Sequence, residues 1–366
     1  MTLHRPTKLS ERADSTDRIA AAESALATLD AAASAMGNAA DLVRLSMRRE
    51  AVASARFDGL HAGLRDVLRL EATRERDGTL PCARAEASAL HALRFLAALG
   101  RGLQRVGEEG RPTSEVMRDV LARLLEDSQR SVEGWPADAR SSAADCPTAH
   151  GCGITLPAAV ETAIAEVGSL LSCSRTLAET VSAATEAHRR IGSASVTMRE
   201  CAPLARIVFM LVICASDRPW RALLAPSAAA IRQIRETSSA EPSGPTDRHE
   251  PGNMSIAWDA ELVVHSVADT LALADRIETL SIEDEDRIAS LGKAAHSARR
   301  VHAALQRRPV MTLPQILEST GLRVQPATSA LHRLRALGII SEISGRHRNR
   351  VFGYDGLIAL LEHRLW

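Results

Sequence analysis

Apolar positions recur at helical spacing over the last seventy or so residues of the chain. They predict three consecutive helices, at 298–306, 313–320 and 326–337, because residues three and four apart share one face of a helix. Thr312 stands where a helix N-cap belongs, and Gly321 stands where the turn into the third helix requires a positive φ. The pattern therefore predicts two helices joined by a tight turn, with a further helix before them.

Two short β-prone runs, 339–343 and 351–354, follow the third helix and flank the loop 344–350. A glycine-containing loop between such runs is a hairpin signal, and its three arginines make it unsuitable for a core. Helix, helix, turn, helix and hairpin in this order predict a winged helix-turn-helix domain.

The same segment strongly resembles bacterial winged-helix domains, above all those at the C-termini of Fic-family regulatory proteins. The residues that carry the resemblance are Leu334, Leu337, Gly338, Ile339, Ile340, Gly345, Arg348, Asn349, Arg350, Val351 and Phe352.

Charge is distributed unevenly along the chain. The whole sequence has 45 Lys+Arg and 45 Asp+Glu, but residues 291–366 hold 12 basic and 4 acidic side chains. The segment is therefore +8 and the rest of the chain is −8. A basic domain beside an acidic remainder is typical of a protein that binds nucleic acid, and double-stranded DNA is the expected partner. The alternative is that the basic domain docks on its own chain or on another protein.

The predicted DNA contacts follow from the domain's geometry. The third helix would enter the major groove, the start of the second helix would hold a phosphate, and the hairpin would lie along the backbone. The candidate residues are Thr312, Gln315, Gln325, Thr328, Ser329, His332, Arg333, Arg335, Arg346, Arg348, Asn349 and Arg350.

The N-terminal half carries a second resemblance. The stretch 48–73 resembles the N-terminal helical segment of Fic-domain proteins, and the resemblance extends over about 45–127. Ser54, Asp58 and Gly59 resemble that family's Ser/Thr-x-x-x-Glu-Gly/Asn inhibitory motif, with Asp in place of the longer Glu. The resemblance implies that Asp58 faces an arginine, although its side chain is one carbon shorter.

The catalytic motif of that family, His-Pro-Phe-x-x-Gly-Asn-Gly-Arg, is missing. None of the 12 histidines is followed by Pro-Phe, and in the nearest counterpart, 205–224, Ile213 stands in place of the histidine. The resemblance therefore implies a site without its base and its phosphate-binding loop. We expect no enzymatic activity, no catalytic residue and no cofactor.

The remaining features exclude several classes of protein. Only 9 residues are aromatic, and Ala- and Leu-rich stretches favour an all-α protein. The longest apolar run, 207–215, is too short to span a membrane, and we expect a cytoplasmic protein.

Cys146, His150 and Cys152 lack the second pair of ligands that a zinc site requires, so no metal is expected. The acidic run 283–286 is expected to be a solvated helix N-terminus.

Three domains are predicted: a Fic-like helical region at 1–130, a central helical domain at 131–290 and the winged helix at 291–366. A flexible loop is expected at 237–255 and a second break at 131–153. The predicted function is a sequence-specific transcriptional regulator. We expect a homodimer that responds to a small-molecule or protein effector. The alternatives are a diverged Fic-type nucleotidyl transferase whose DNA binding is autoregulatory, and an antitoxin-like interaction module.

Overall fold

The computed structural model describes residues 8–77, 84–125, 156–173, 176–195, 198–215, 219–240, 258–345 and 350–363. Within these ranges the chain is mostly helical, with one small sheet, so the predicted helical character is confirmed.

The helices are α1 (Lys8–Ala35), α2 (Ala39–Phe57), α3 (Leu64–Asp77), α4 (Arg84–Glu109), α5 (Ser114–Leu125), α6 (Ala158–Leu170), α7 (Leu177–Ser193), α8 (Cys201–Cys214), α9 (Pro226–Ala240), α10 (Ala260–Ala289), α11 (Ala295–Arg307), α12 (Leu313–Thr320), α13 (Val324–Ala336) and α14 (Asp355–Glu362). Two short 3-10 helices lie at Pro219–Leu223 and Gly292–Ala294. The strands are β1 (Val310–Thr312), β2 (Ser341–Glu342) and β3 (Val351–Gly353).

Helix α8 forms the centre of the upstream core. Its residues are apolar on every face, and all of them except Ala202 are buried. Helices α4, α5 and α7 and the 3-10 helix Pro219–Leu223 pack around it. Arg206 is the one charged residue of α8 and is 5% exposed, so its partners must come from inside the protein.

Helix α10 joins the upstream core to the C-terminal elements. Its first half lies against the core, where the Ser266 hydroxyl accepts a hydrogen bond from the Ala225 amide at 3.0 Å. Its second half packs against α11 and α14. Gln306 of α11 donates a hydrogen bond to Ser281 at 2.7 Å there.

The acidic run 283–286 lies close to the C-terminal end of α10, so its expected place at a solvated helix N-terminus is wrong. Asp284 is 1% exposed. It accepts hydrogen bonds from the Tyr354 hydroxyl at 2.6 Å and from Arg287 at 2.9 Å. The helical periodicity of the sequence did not predict that Asp284 is buried, because its partner Tyr354 comes after the hairpin, 70 residues further along the chain.

The C-terminal elements follow one another in the order α11, β1, α12, α13, β2, β3, α14. Both strand pairs are antiparallel and the sheet order is β1-β3-β2, with Phe352 opposite Met311 on one side and Glu342 on the other. The sequence pattern predicted the helices at α11–α13 and the two strands of the hairpin. It missed β1, which has only three residues, and α14.

The expected loop at 237–255 is only partly described. Helix α9 continues to residue 240, which is four residues into that stretch, and the remainder lies outside the described residues. The predicted break at 131–153 lies outside them as well. Within the described ranges, no helix combines the length and the apolar character needed to cross a bilayer.

Candidate nucleic-acid interface and buried polar clusters

Helix α13 presents one apolar and one polar face. Ala327, Ala330, Leu331 and Leu334 are buried and fix the helix on its neighbours. The opposite face is open to solvent. Of the predicted contacts on it, Gln325, Thr328, His332 and Arg335 are exposed, and Ser329 and Arg333 are half-buried. The structure therefore brings the six α13 candidates together on one accessible face.

The turn before α13 depends on Gly321. Its φ of +62° lies in the left-handed region, and its amide donates to the Leu317 carbonyl at 2.8 Å, which ends α12. Arg300 of α11 then donates a hydrogen bond to the Thr320 carbonyl. The turn is thus held from both sides, as the sequence pattern predicted for this glycine.

The hairpin after α13 is described at its base. Glu342 accepts a hydrogen bond from the Ser344 amide at 2.8 Å, and the Ser344 hydroxyl accepts one from the Val351 amide at 3.3 Å. The hydrogen bonds from Ser344 hold the pKa of Glu342 below its ordinary value. Arg350 is exposed at the start of β3. The predicted contacts Arg346, Arg348 and Asn349 lie outside the described residues.

The start of α12 differs from the expected phosphate site. Thr312 is 4% exposed, and its amide donates to Gln315 Oε1 at 2.8 Å. Gln315 Nε2 donates at 3.1 Å to the carbonyl of Ala72, on α3 of the N-terminal region. The Thr312 amide and the Gln315 side chain are therefore engaged within the protein in this arrangement. The sequence could not show this, because the partner is 243 residues away.

A buried polar cluster joins α2 to α8. Arg206 donates to the Ser54 hydroxyl at 2.8 Å and to both carboxylate oxygens of Asp58 at 2.7 and 2.8 Å. His91 Nε2 lies 3.0 Å from the same carboxylate. Burial alone would raise the pKa of Asp58, but the charge of Arg206 and the hydrogen bond with His91 lower it below its ordinary value. The shorter aspartate thus does reach an arginine.

A second buried carboxylate lies at the first turn of α9. Glu50 is 0% exposed and accepts hydrogen bonds from the Ser227 amide at 2.9 Å and the Ser227 hydroxyl at 2.5 Å. The first turn of a helix attracts anions, because its amides are unpaired and its dipole is positive there. Burial raises the pKa of Glu50 to about 7, although the hydrogen bonds from Ser227 and the charge of Arg206 oppose that shift. The protein's own carboxylate occupies this helix end.

The segment between α8 and α9 is the stretch that resembles a degenerate catalytic loop. Ile213, in place of the catalytic histidine, is 1% exposed within the apolar core. Arg221 lies eight residues after Ile213 and is 5% exposed. Its guanidinium donates to Asp30 of α1 at 2.9 Å and to the Ile213 carbonyl at 3.3 Å. The guanidinium of Arg221 is therefore directed to the protein interior.

Metal coordination finds no support in the part of the chain that the structure describes. No group of three or more His, Cys, Asp or Glu side chains is arranged there to hold an ion. The segment with Cys146, His150 and Cys152 lies outside that part.

Comparison with known families bears on the N-terminal region. Residues 16–104 match the Fic/DOC family N-terminal domain. The match covers α2 and α3, with Ser54 and Asp58, and most of α4. It confirms the Fic-like resemblance over 45–104 and begins earlier along the chain, but it does not extend over 105–127. No curated protein matches the chain.

Proposed function

We propose that this protein is a sequence-specific, DNA-binding transcriptional regulator whose C-terminal elements act as a winged helix-turn-helix. The observation that carries the proposal is the open polar face of α13, which stands next to the hairpin β2–β3 and carries Arg333 and Arg335. The segment from residue 291 onwards holds 12 basic and 4 acidic residues, so the charge favours a polyanion.

Recognition follows from the direction of α13. Its N-terminal residues Gln325, Thr328 and Ser329 would face base edges in the major groove, where short hydroxyl side chains allow a close approach. His332 would reach outward from the same face. Arg335, near the end of the helix, and Arg350, on the hairpin, would contact the flanking phosphates. Arg346, Arg348 and Asn349 would extend that contact along the wing.

One such domain reads only a few base pairs, so we propose that the regulator acts as a homodimer on a two-part operator in the cytoplasm. The upstream helices would hold the two copies together and provide the effector site. The apolar faces of α11 and α13 are not available for this, because they are used within the C-terminal unit, which is the run of elements from α11 to α14.

We further propose that the Fic-like region is catalytically inactive. The buried Ile213 replaces the general base, and Glu50 fills the helix end that would otherwise receive a nucleotide phosphate. Titration with ATP, followed by calorimetry, tests this point. Saturable binding that Glu50→Gln strengthens would favour the alternative of a diverged nucleotidyl transferase.

Genomic footprinting of the tagged full-length protein tests the main proposal. The protein should protect a small set of related sites, and Arg335→Glu should abolish most of that protection by weakening binding roughly tenfold or more at physiological salt. Arg189→Glu is the matched control, since it makes the same charge change at an exposed residue of α7, where Arg189 pairs with Glu186. If the two variants behave alike, or if no site is protected, α13 is not a DNA-reading helix.

A further inference from the structure

The N-terminal region covers one edge of the proposed DNA-binding unit. Helix α3 packs against β1, and the Ala72 carbonyl of α3 accepts the hydrogen bond from Gln315 at 3.1 Å. Thr312, at the start of α12, is buried. The Fic-like segment therefore lies over the N-terminal end of α12 and leaves the polar face of α13 open.

The same helix holds a second point on the C-terminal unit. Arg65, in the first turn of α3, donates to Asp355 of α14 at 2.7 Å. Its amide donates to Glu362, at the other end of α14, at 3.1 Å. One helix of the N-terminal region thus contacts both α12 and α14, and we refer to these contacts of α3 with Gln315, Asp355 and Glu362 as the α3 clamp.

The position of the α3 clamp conflicts with full engagement of DNA. In helix-turn-helix proteins the helix before the recognition helix crosses the phosphate backbone, and its free N-terminal amides suit a phosphate. Here α3 stands at that end of α12. On the proposed mode of binding, α3 therefore lies at the helix end that the DNA backbone would approach.

The ion pair of the α3 clamp is suited to opening. The side chains of Arg65 and Asp355 are 41% and 37% exposed, and pairs this open to solvent contribute little to stability. By contrast, the hydrogen bond from Tyr354 to Asp284 on α10 is buried, so the Arg65–Asp355 ion pair is the more easily broken of these two polar contacts.

We propose that the α3 clamp restrains DNA binding, and that its release from the C-terminal unit raises the affinity for DNA. This inference rests on the proposed function. It makes the Fic-like region a regulator of the winged helix, and an effector that draws α3 away would act as an activator of binding.

The test uses full-length Arg65→Glu, which places a negative charge beside Asp355 and Glu362. The substitution makes the protein more acidic, so by charge alone it should weaken DNA binding. Opening of the α3 clamp should instead tighten DNA binding by about three- to tenfold. This range corresponds to the loss of one exposed ion pair together with the repulsion of the new glutamate by Asp355 and Glu362. The direction of the change therefore separates the two effects.

Arg69→Glu is the matched control. Arg69 lies on the same helix, its side chain is 45% exposed, and it pairs with Asp66 of α3 at 3.8 Å. It should weaken DNA binding slightly, as the charge change alone predicts. Hydrogen exchange provides a readout that does not involve DNA: the amides of β1 and the first turn of α12 should exchange faster in Arg65→Glu than in Arg69→Glu.

The outcomes distinguish the two proposals. Faster exchange with tighter DNA binding supports the restraint. Faster exchange with unchanged or weaker DNA binding overturns the restraint but leaves the proposal of DNA binding intact. Unchanged exchange has the same consequence, because Arg65 then does not hold α3 on the C-terminal unit. If neither the parent nor Arg65→Glu selects any duplex from a random library, the proposed function fails, and the restraint fails with it.

Discussion

Replacing Glu50 by glutamine tests how the Fic-like region is held together. The Glu50 carboxylate is fully buried between α2 and the first turn of α9, where it accepts two hydrogen bonds from Ser227. Glutamine has nearly the same shape, and its carbonyl oxygen can still accept the hydrogen bond from the Ser227 amide. The substitution therefore removes the charge with little change in packing.

The magnitude follows from the shifted pKa. Burial raises the pKa of Glu50 from 4.5 to about 7. Each unit corresponds to about 1.4 kcal/mol, so the shift amounts to about 3 kcal/mol. Because the pKa is raised on folding, the favourable contribution is complete below pH 4.5 and is lost as the pH rises to 7. Glu50→Gln should not show this loss.

Urea unfolding of both proteins between pH 5 and pH 8 provides the assay. The free energy of unfolding of Glu50→Gln should gain on that of the parent as the pH rises, with most of the about 3 kcal/mol appearing by pH 8. Glu115→Gln is the control, because the Glu115 side chain is 81% exposed. A constant difference between Glu50→Gln and the parent across this range would refute the argument that a buried charge opposes folding here.

Three further predictions concern other contacts. Tyr354→Phe removes a buried hydrogen bond to a carboxylate and should lower the free energy of unfolding by about 1.5–3 kcal/mol in urea. If the free energies of unfolding of the variant and the parent agree within error, the contact with α10 rests on apolar packing. Asp58→Ala leaves the buried guanidinium of Arg206 without its carboxylate and should lower the free energy of unfolding by about 3–5 kcal/mol in urea. A decrease below about 1 kcal/mol would contradict the pairing. Gln325→Ala should weaken binding to the operator by about 1–3 kcal/mol and leave binding to a scrambled duplex unchanged. Arg335→Ala should weaken binding to both duplexes and reduce the slope of log K against log salt by about one unit. If each variant loses the same affinity on the two duplexes, the groove-facing register of α13 is wrong.

Local signals account for the elements that the sequence predicted correctly. Thr312 precedes α12 as its N-cap, and Gly321 supplies the positive φ after it. Each of these depends on a few neighbouring residues, and so does the apolar spacing of α13. The resemblance of the N-terminal half also rests on a short contiguous stretch, 48–73, and the match over 16–104 confirms that stretch.

Long-range pairings account for what the sequence did not reveal. Arg206 meets Asp58 across 148 residues, and Gln315 meets Ala72 across 243 residues. The motif at Asp58 implied an arginine partner without identifying Arg206, and no local pattern marks Gln315 and Ala72 as a pair. Asp284 looked like one of four solvated acids, because nothing near it in the chain shows that Tyr354 comes to lie beside it.

The two attachments of the C-terminal unit differ in the way they would respond to strain. At the α10 side, Tyr354 and Asp284 are both nearly inaccessible, and separating them would leave the buried carboxylate without one of its hydrogen bonds. At the α3 side, Arg65 and Asp355 are already partly hydrated, so separating them costs far less. A force that pulls the Fic-like region and the C-terminal unit apart should therefore separate Arg65 from Asp355 before it separates Tyr354 from Asp284.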